Sequence, residues 1–318
     1  MKINRNIFAF WMALAFCPAL GGCSAHAGNA AAPTAAPTAI VTQTAAAPKT
    51  QYKAPAMAES VFDAQAAAGQ DGVLIDTSHL ANGYVAVSAT ADARLKFQTV
   101  YGDAKYTYDL PGDGTPQCFP LQSGDGTYKL RVMKNTTGNR YAELCAAEAA
   151  VTLTDEFQPY LRPSQLVDYS ADSACVAKAA ALAQGAADDA GVVEAVYAYI
   201  KDSIAYDVAK AATVEDGYLP QPDETLASGQ GICFDYAALA AAMLRSQGIP
   251  TKLITGYVSP ENIYHAWNMI WLQEAGWVTV NIETPARQWG RVDFTFAASG
   301  ADGSLVGDGV HYTDRYTY

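Results

Sequence analysis

Apolar and polar residues alternate along the chain from residue 83 to residue 153. Between Leu95 and Tyr101, every second residue is apolar, aromatic or threonine, and most residues between them are polar. A period of two is typical of half-buried β-strands. The glycine-containing segments 124–126 and 137–139 separate further alternating runs and indicate hairpin turns. The pattern therefore predicts a small antiparallel β-sandwich over residues 70–155.

The period changes after Pro163. Apolar residues then recur at helical spacing, and alternating runs return near the C-terminus. The predicted helices run from Asp172 or Ser173 to Gln184, from Asp188 or Asp189 through Ile204, and from near Cys233 to Arg245, and the predicted strands cover residues 252–258, 266–272, 277–282 and 289–293. Helices followed by a sheet are typical of an α+β domain. We place the boundary at residues 155–168, which gives folded domains at 61–160 and 161–318.

The N-terminus has the pattern of an export signal. Two basic residues precede an apolar stretch, residues 7–16, that is too short to span a membrane. The stretch leads into Leu20-Gly21-Gly22-Cys23, which resembles a bacterial lipobox. We predict that residues 1–22 are removed and that Cys23 becomes a lipidated N-terminus on the outer face of the cell membrane. An ordinary secreted protein is the alternative.

The segment that follows has the composition of a spacer. Residues 24–60 hold 14 Ala, 5 Thr and 4 Pro among 37 positions, with only three charged residues. Proline keeps such a chain extended, and the missing apolar periodicity leaves nothing to bury. We therefore predict that residues 23–60 connect a lipid anchor to the folded body.

Composition excludes some classes of protein. Half of the 318 residues are hydrophobic, so intrinsic disorder throughout is excluded. Asp and Glu number 32 against 20 Lys and Arg, and the formal net charge is −12. Because no basic cluster interrupts this excess, a nucleic-acid partner is not expected. His26, His79, His265 and His311 have no metal-ligand spacing, and no phosphate-binding or dinucleotide motif occurs, so no metal or cofactor is expected.

Four of the six cysteines fall in the predicted folded body. Cys118 and Cys145 lie in the β-rich domain, where they either pair in an oxidising compartment or stay reduced as small hydrophobic residues; we favour the second. Cys175 lies among alanines on a predicted helix, and we predict that it is a buried residue. Cys233 differs because it follows a glycine and begins a helix, where the positive helix end favours a thiolate.

A base and a carboxylate follow Cys233 in the chain. His265 comes 32 residues later at the start of a predicted strand, and Asp293 comes 28 residues after that at the end of another. A thiol, an imidazole and an orienting carboxylate are the components of a thiol acyl-transfer site. Each of the three also has a structural explanation, so spacing alone does not assign catalysis.

Five strings in this region resemble, in order, the transglutaminase-like core domain. They are residues 231–237 (GICFDYA), 244–250 (LRSQGIP), 256–257 (GY), 265–268 (HAWN) and 292–296 (VDFTF). The resemblance covers about residues 170–300 and implies a papain-like α+β fold. It implies that Cys233 is the nucleophile, His265 the general base and acid, and Asp293 the residue that orients the imidazole. The sandwich and the lipidated spacer are similar to those of surface lipoproteins that carry this domain in Gram-positive gut bacteria.

The sequence departs from the family pattern at two places. Phe294 stands where relatives commonly have proline after the aspartate, and Asn281 is an alternative third residue. Eukaryotic transglutaminases supply a tryptophan N–H to the oxyanion from upstream of the cysteine, but residues 190–232 contain no tryptophan. Tyr197 and Gln230 are the candidates for this second donor.

The resemblance implies acyl transfer from a peptide or carboxamide through a thioester on Cys233. Release by water would make the protein a cysteine protease or amidase, which we favour, and release by an amine would make it a cross-linking transglutaminase. We expect a monomer that acts on peptides or proteins and contacts the membrane only through its lipid. A surface binding module with an inert triad is the alternative from another class.

Overall fold

The computed structural model describes residues 51–258, 263–272, 289–292 and 312–318. The first part of the described chain is all β. Its strands are β1 Val73–Asp76, β2 Tyr84–Ala89, β3 Leu95–Tyr101, β4 Ala104–Leu110, β5 Gln117–Pro120, β6 Gly126–Thr137 and β7 Arg140–Val151. They form two antiparallel sheets, in the orders β1-β2-β5 and β4-β3-β6-β7.

The two sheets share one hydrophobic core. Val85 and Phe119 of the first sheet and Phe97 and Leu130 of the second are fully buried in the same cluster. The ring centroids of Phe97 and Phe119 are 4.5 Å apart. Along β3 the buried residues alternate with half-buried ones, as the period of two predicts. The structure therefore confirms the predicted β-sandwich.

The second part of the described chain begins with helices. Its elements are α1 Ala174–Ala183, α2 Asp189–Ser203, β8 Ala205–Tyr206, α3 Val208–Thr213, α4 Pro222–Ser228, β9 Gln230–Gly231 and α5 Cys233–Ser246. Helix α5 is the centre of this part, because α1, α2, α4 and the two strands that follow it in the chain all pack against it. Every residue from Asp235 to Ser246 is buried. Its many alanines permit this close approach on all sides.

The helix starts differ from the prediction at one point. Asp188 caps α2 as predicted, since its carboxylate accepts the N–H of Gly191 at 2.9 Å. The first N–H groups of α1 are bound instead by Asp223, which accepts from Ala174 at 2.9 Å and from Cys175 at 2.8 Å. A cap from 49 positions away leaves no local signal in the sequence.

The helices pack on an antiparallel sheet. Its strands are β10 Thr251–Val258, β11 Ile263–Trp271, β12 Trp289–Val292 and β13 Tyr312–Thr317, in the order β12-β11-β10-β13. Three of them agree with predicted strands, and the predicted strand at 277–282 lies outside the described residues. The architecture is the predicted α+β fold, with helices on an antiparallel sheet preceded by a β-sandwich.

Residues 51–60, which composition assigns to the spacer, contact the folded body. The Tyr52 hydroxyl donates to the carbonyl of Gln247 at 2.6 Å, and Ser60 Oγ donates to the carbonyl of Pro163 at 2.7 Å. Pro55 lies against Gly248, where a Cβ atom would come within 2.1 Å of the proline ring. Single side chains therefore hold residues of a segment that has no apolar periodicity.

The sandwich and the α+β part meet along β4. The ring of Tyr318 lies 5.8 Å from the rings of both Tyr106 and Tyr108, measured between centroids. Gln165 Nε2 donates to the carbonyl of Asp109 at 2.7 Å. Phe234, next to Cys233, packs against the cores of both parts. Strand β4 is thereby placed beside the start of α5.

The four described cysteines of the folded body, Cys118, Cys145, Cys175 and Cys233, are free thiols. This agrees with the reduced alternative for Cys118 and Cys145. Within the described ranges, no helix combines the length and the apolarity that a membrane span requires.

Candidate active site

Cys233 is the first residue of α5 and is partly exposed. The helix starts here because Asp235, in its first turn, accepts the backbone N–H of Ile232 at 2.8 Å. Gly231 allows this approach, since a Cβ atom there would lie 2.7 Å from the Asp235 Cβ. The Cys233 thiol therefore stands at the first position of a 14-residue helix, next to backbone N–H groups that have no acceptor within the helix.

His265 comes from the neighbouring sheet. It lies on β11, opposite Gly256 of β10, and is only 8% exposed. Its ring is stacked near that of Trp267, on the same face of the strand, with 6.4 Å between centroids. Helix α5 packs against the other face of β11, where Ala266 and Ile270 join its core and Asn268 Nδ2 donates to the carbonyl of Ala237 at 3.0 Å.

Cys233 and His265 line one cavity of about 550 Å³. Other walls are supplied by β4 of the sandwich and by residues 214–219. A volume of this size is typical of a small-molecule or side-chain binding site. The structure thus brings two of the predicted site residues together. Asp293 and its alternative Asn281 lie outside the described residues.

The predicted second oxyanion donors lie elsewhere. Tyr197 packs against the core of the helical part, and Gln230 is exposed on β9. Neither is among the described residues that line the cavity. Tyr206 does line it, because β8 pairs in parallel with β9 and sets Tyr206 beside Gly231. Partial burial and the nearby Cys233 thiol raise the pKa of Tyr206.

A buried carboxylate beneath Cys233 was not predicted. Asp235 is fully buried and accepts from Lys210 Nζ at 2.8 Å and from the Tyr218 hydroxyl at 2.5 Å. Lys210 Nζ also lies 2.6 Å from that hydroxyl. Burial opposes the charge of Lys210, but hydrogen bonds with Asp235 and Tyr218 raise its pKa. Burial and the hydrogen bond to Asp235 raise the pKa of Tyr218 to about 12.

This network fixes one wall of the cavity. Lys210 belongs to α3 and Tyr218 to the segment that lines the cavity, so both are tied to the first turn of α5. The residues are 8 to 25 positions apart in sequence, which leaves no periodic signal. An acidic residue in the first turn of a helix was the one available sign. Among the described residues, no group of His, Cys, Asp and Glu is arranged to hold a metal ion.

Comparison with known proteins agrees with this geometry. Residues 176–282 match the family model described as the transglutaminase-like superfamily. The match covers the first four of the five strings, confirms the resemblance there and shows that this segment is similar to the transglutaminase-like core. It includes Cys233 and His265 and ends before Asp293.

The individual relatives have low sequence identity to this chain or match it over a short stretch. The chain is 32% identical over 92 residues to the protein-glutamine gamma-glutamyltransferase of Pseudomonas aeruginosa. The aligned stretch is 25% of this chain and 13% of that protein. LapG of Legionella pneumophila is 16% identical, with 40% of this chain and 61% of that chain covered and a TM-score of 0.29. A proposed cysteine protease from Cytophaga hutchinsonii is 12% identical, with 79% and 83% covered and a TM-score of 0.38. The chain therefore spans a small part of the curated relative and under two thirds of LapG.

Proposed function

We propose that this protein is a cysteine-dependent enzyme that transfers acyl groups from peptide or carboxamide substrates. The observation that carries the proposal is the shared cavity, in which a thiol at a helix N-terminus and a strand histidine line the same space. Cys233 is the nucleophile, His265 the general base and acid, and Asp293 the residue that orients the imidazole. The match of residues 176–282 to a superfamily of cysteine-dependent enzymes supports the first two roles.

The reaction has two steps. His265 takes the proton of the Cys233 thiol, the thiolate attacks the carbonyl carbon, and the backbone N–H groups at the start of α5 stabilise the oxyanion. His265 then donates its proton to the leaving amine, which departs and leaves a thioester on Cys233. In the second step His265 removes a proton from water or from an incoming amine, and the attack of that molecule releases the thiol.

Tyr206 is proposed as the second oxyanion donor, because it lines the cavity together with Cys233 and the pairing of β8 with β9 sets it beside Gly231. We expect Tyr206→Phe to lower kcat by about 100-fold, as the loss of one oxyanion donor does. Tyr264→Phe is the matched control, since Tyr264 lines the same cavity but donates to Thr255 at 2.8 Å. Steady-state kinetics on one peptide checks both variants, and equal effects would contradict the assignment.

Asp293 is proposed as the third residue from its sequence motif, and in the chain it comes directly after β12. Val292, the last residue of β12, pairs with Asn268 of β11. The family match favours the alternative, because it ends at residue 282 and so includes Asn281 but not Asp293.

Two variants separate these choices. We expect Asp293→Asn to lower kcat by about three to four orders of magnitude, because the imidazole then loses the carboxylate that fixes its tautomer. We expect Asn281→Ala to change kcat by less than about threefold, because it leaves the proposed triad intact. Single-turnover kinetics measures both. A large loss in Asn281→Ala with none in Asp293→Asn would transfer the role to Asn281.

Hydrolysis is the proposed fate of the thioester, which makes the protein a cysteine protease or amidase. The catalytic groups serve hydrolysis and cross-linking equally, so the acceptor has to be measured. A peptide library incubated with the protein and an excess of a primary amine gives products that mass spectrometry distinguishes. Cleaved or deamidated peptides support hydrolysis, amine conjugates support a transglutaminase, and no Cys233-dependent product would contradict the enzyme.

We also propose that the enzyme works outside the cell, attached by a lipid on Cys23. The lipobox-like residues before Cys23 and the Ala-, Pro- and Thr-rich segment after it support this location. Peptides or proteins of the cell envelope or its surroundings are then the available substrates. Membrane fractionation of the wild type and of Cys23→Ala checks the anchor, because only the wild type should stay with the membrane.

A further inference from the structure

Asn268 is a fully buried polar residue on the face of β11 that packs against α5. Its neighbours on that face, Ala266 and Ile270, belong to the apolar core of the helical part. The side-chain amide donates twice, to the carbonyl of Ala237 in α5 at 3.0 Å and to the carbonyl of Lys252 in β10 at 3.1 Å. One side chain therefore joins the central helix to both middle strands of the sheet.

Neither carbonyl depends on this amide for a partner. Ala237 lies inside α5, where its carbonyl accepts the N–H four residues further along. Lys252 lies two positions from Pro250, whose carbonyl accepts the Trp271 N–H, and hydrogen-bonded pairs recur at every second position of an antiparallel ladder. The Oδ1 atom of Asn268 is buried without a partner among the described residues, which costs stability. A leucine of the same shape would therefore suit this apolar face at least as well.

The position of α5 on the sheet requires directional contacts. Five of the twelve buried residues of α5 are alanines, whose short side chains form shallow ridges. Because apolar attraction has no preferred direction, such packing resists sliding weakly. At the far end of α5, Arg245 donates to the carbonyls of Thr251 and Tyr318 at 2.8 and 3.0 Å. Asn268 supplies a directional attachment at the end that carries Cys233.

We propose that Asn268 is a positioning residue that holds Cys233 in place against His265. The inference rests on the proposed function, in which these two residues act together. Ala237 lies four residues after Cys233, or about 6 Å along the helix. Asn268 lies three residues after His265, or about 10 Å along β11. His265 projects from the opposite face of this strand but moves with the same backbone, so the bond fixes where the helix start lies relative to the base.

Asn268→Leu keeps the shape of the side chain and removes its donors. We expect kcat to fall about 100-fold, the effect of a misplacement of about 1 Å, while KM stays within about threefold of the wild-type value. The unfolding temperature should equal or exceed that of the wild type, because no carbonyl loses its last donor. A merely structural residue would instead lower the unfolding temperature without a selective loss of kcat.

Ile270→Val is the matched control, since it removes one methyl group from the same face of β11. We expect the opposite result, a slightly lower unfolding temperature with kcat within about threefold of the wild type. Steady-state kinetics on one peptide and a melting curve measure these quantities for both variants. Equal kcat in Asn268→Leu and Ile270→Val would overturn the positioning role.

A second variant covers the case in which leucine is not accommodated. Asn268→Ala removes the same donors without adding apolar atoms, and it replaces Asn268→Leu if circular dichroism shows that the leucine variant is unfolded. A loss of kcat with KM preserved supports the proposal in either variant. Unfolding of both variants would show that Asn268 supports the fold and would also overturn the positioning role.

Alkylation of Cys233 by iodoacetamide separates this role from the proposed function, because it requires no turnover. We expect Asn268→Leu to slow alkylation about as much as His265→Ala does, and the double variant to be no slower than either single variant, since both remove the same pairing. A wild-type alkylation rate in Asn268→Leu would overturn the positioning role, even where turnover by the wild type upholds the enzyme. Absence of peptide turnover, with alkylation that depends on both residues, would reject the proposed function and keep the positioning role.

Discussion

Cys233→Ala is expected to abolish turnover, with kcat at least about 10⁴-fold below that of the wild type. The thioester cannot form without the thiol, and the backbone groups that remain supply only part of the catalysis. Because Cys233 is partly exposed, the substitution should leave the thermal unfolding temperature nearly unchanged. Kinetics on any peptide that the wild type processes, together with a melting curve, measures both quantities.

Two controls make this result specific. Cys175→Ala removes a thiol that is buried in α1 and should keep wild-type kcat. Adding His265→Ala to Cys233→Ala should cause little further loss, because residues that act as a unit are not additive. Retention of more than a tenth of wild-type activity in Cys233→Ala would rule out this thiol as the nucleophile.

Asp235→Ala is expected to lower the free energy of unfolding by about 3 kcal/mol. The substitution leaves Lys210, Tyr218 and the N–H of Ile232 without their acceptor. Losing one partner of a buried ion pair costs about 3–5 kcal/mol, and Lys210, with a side chain 31% exposed, places this case at the low end. Urea denaturation followed by circular dichroism measures the change.

Comparison with other variants separates the charge from the hydrogen bonds. Asp235→Asn keeps an acceptor of similar shape, so we expect it to lose about half as much stability as Asp235→Ala. Asp202→Ala removes an exposed carboxylate and should change the free energy by less than about 0.5 kcal/mol. Equal stability of Asp235→Ala and Asp202→Ala would show that the network does not support the fold.

The sandwich strands were predictable because each buries one face. In β3, Leu95 and Phe97 are buried while Lys96 and Gln98 are half-buried, so the alternation is visible in the sequence.

The short elements around the site have no such periodic signal in the sequence. Strands β8 and β9 contain two residues each and exist through pairing across more than 20 positions of sequence. Helix α3 has six residues and is capped by Asp207. Tertiary contacts, and not the local sequence pattern, determine that these elements form.

The same distinction applies to the site. Cys233 and His265 were predictable because each lies at a recognisable place, a helix start after glycine and a strand start within a familiar motif. Tyr206 was missed because only the pairing of β8 with β9 brings it to the cavity. Tyr197 was proposed for its place upstream of the cysteine, but the periodicity of α2 turns it towards the helical core. Contacts between distant segments carry the information that local patterns lack.

Activation of Cys233 by His265 is tested most directly by the rate of alkylation at neutral pH, measured with iodoacetamide and peptide mapping. Internal controls are available, since burial and the charge of Asp76 raise the pKa of the Cys118 thiol to about 12, and burial and Asp223 raise the pKa of Cys175. We predict fast, selective labelling of Cys233 that falls by at least about tenfold in His265→Ala. Slow labelling of Cys233, equal to that of Cys175 and unchanged in His265→Ala, would contradict an activated nucleophile and leave a binding module in its place.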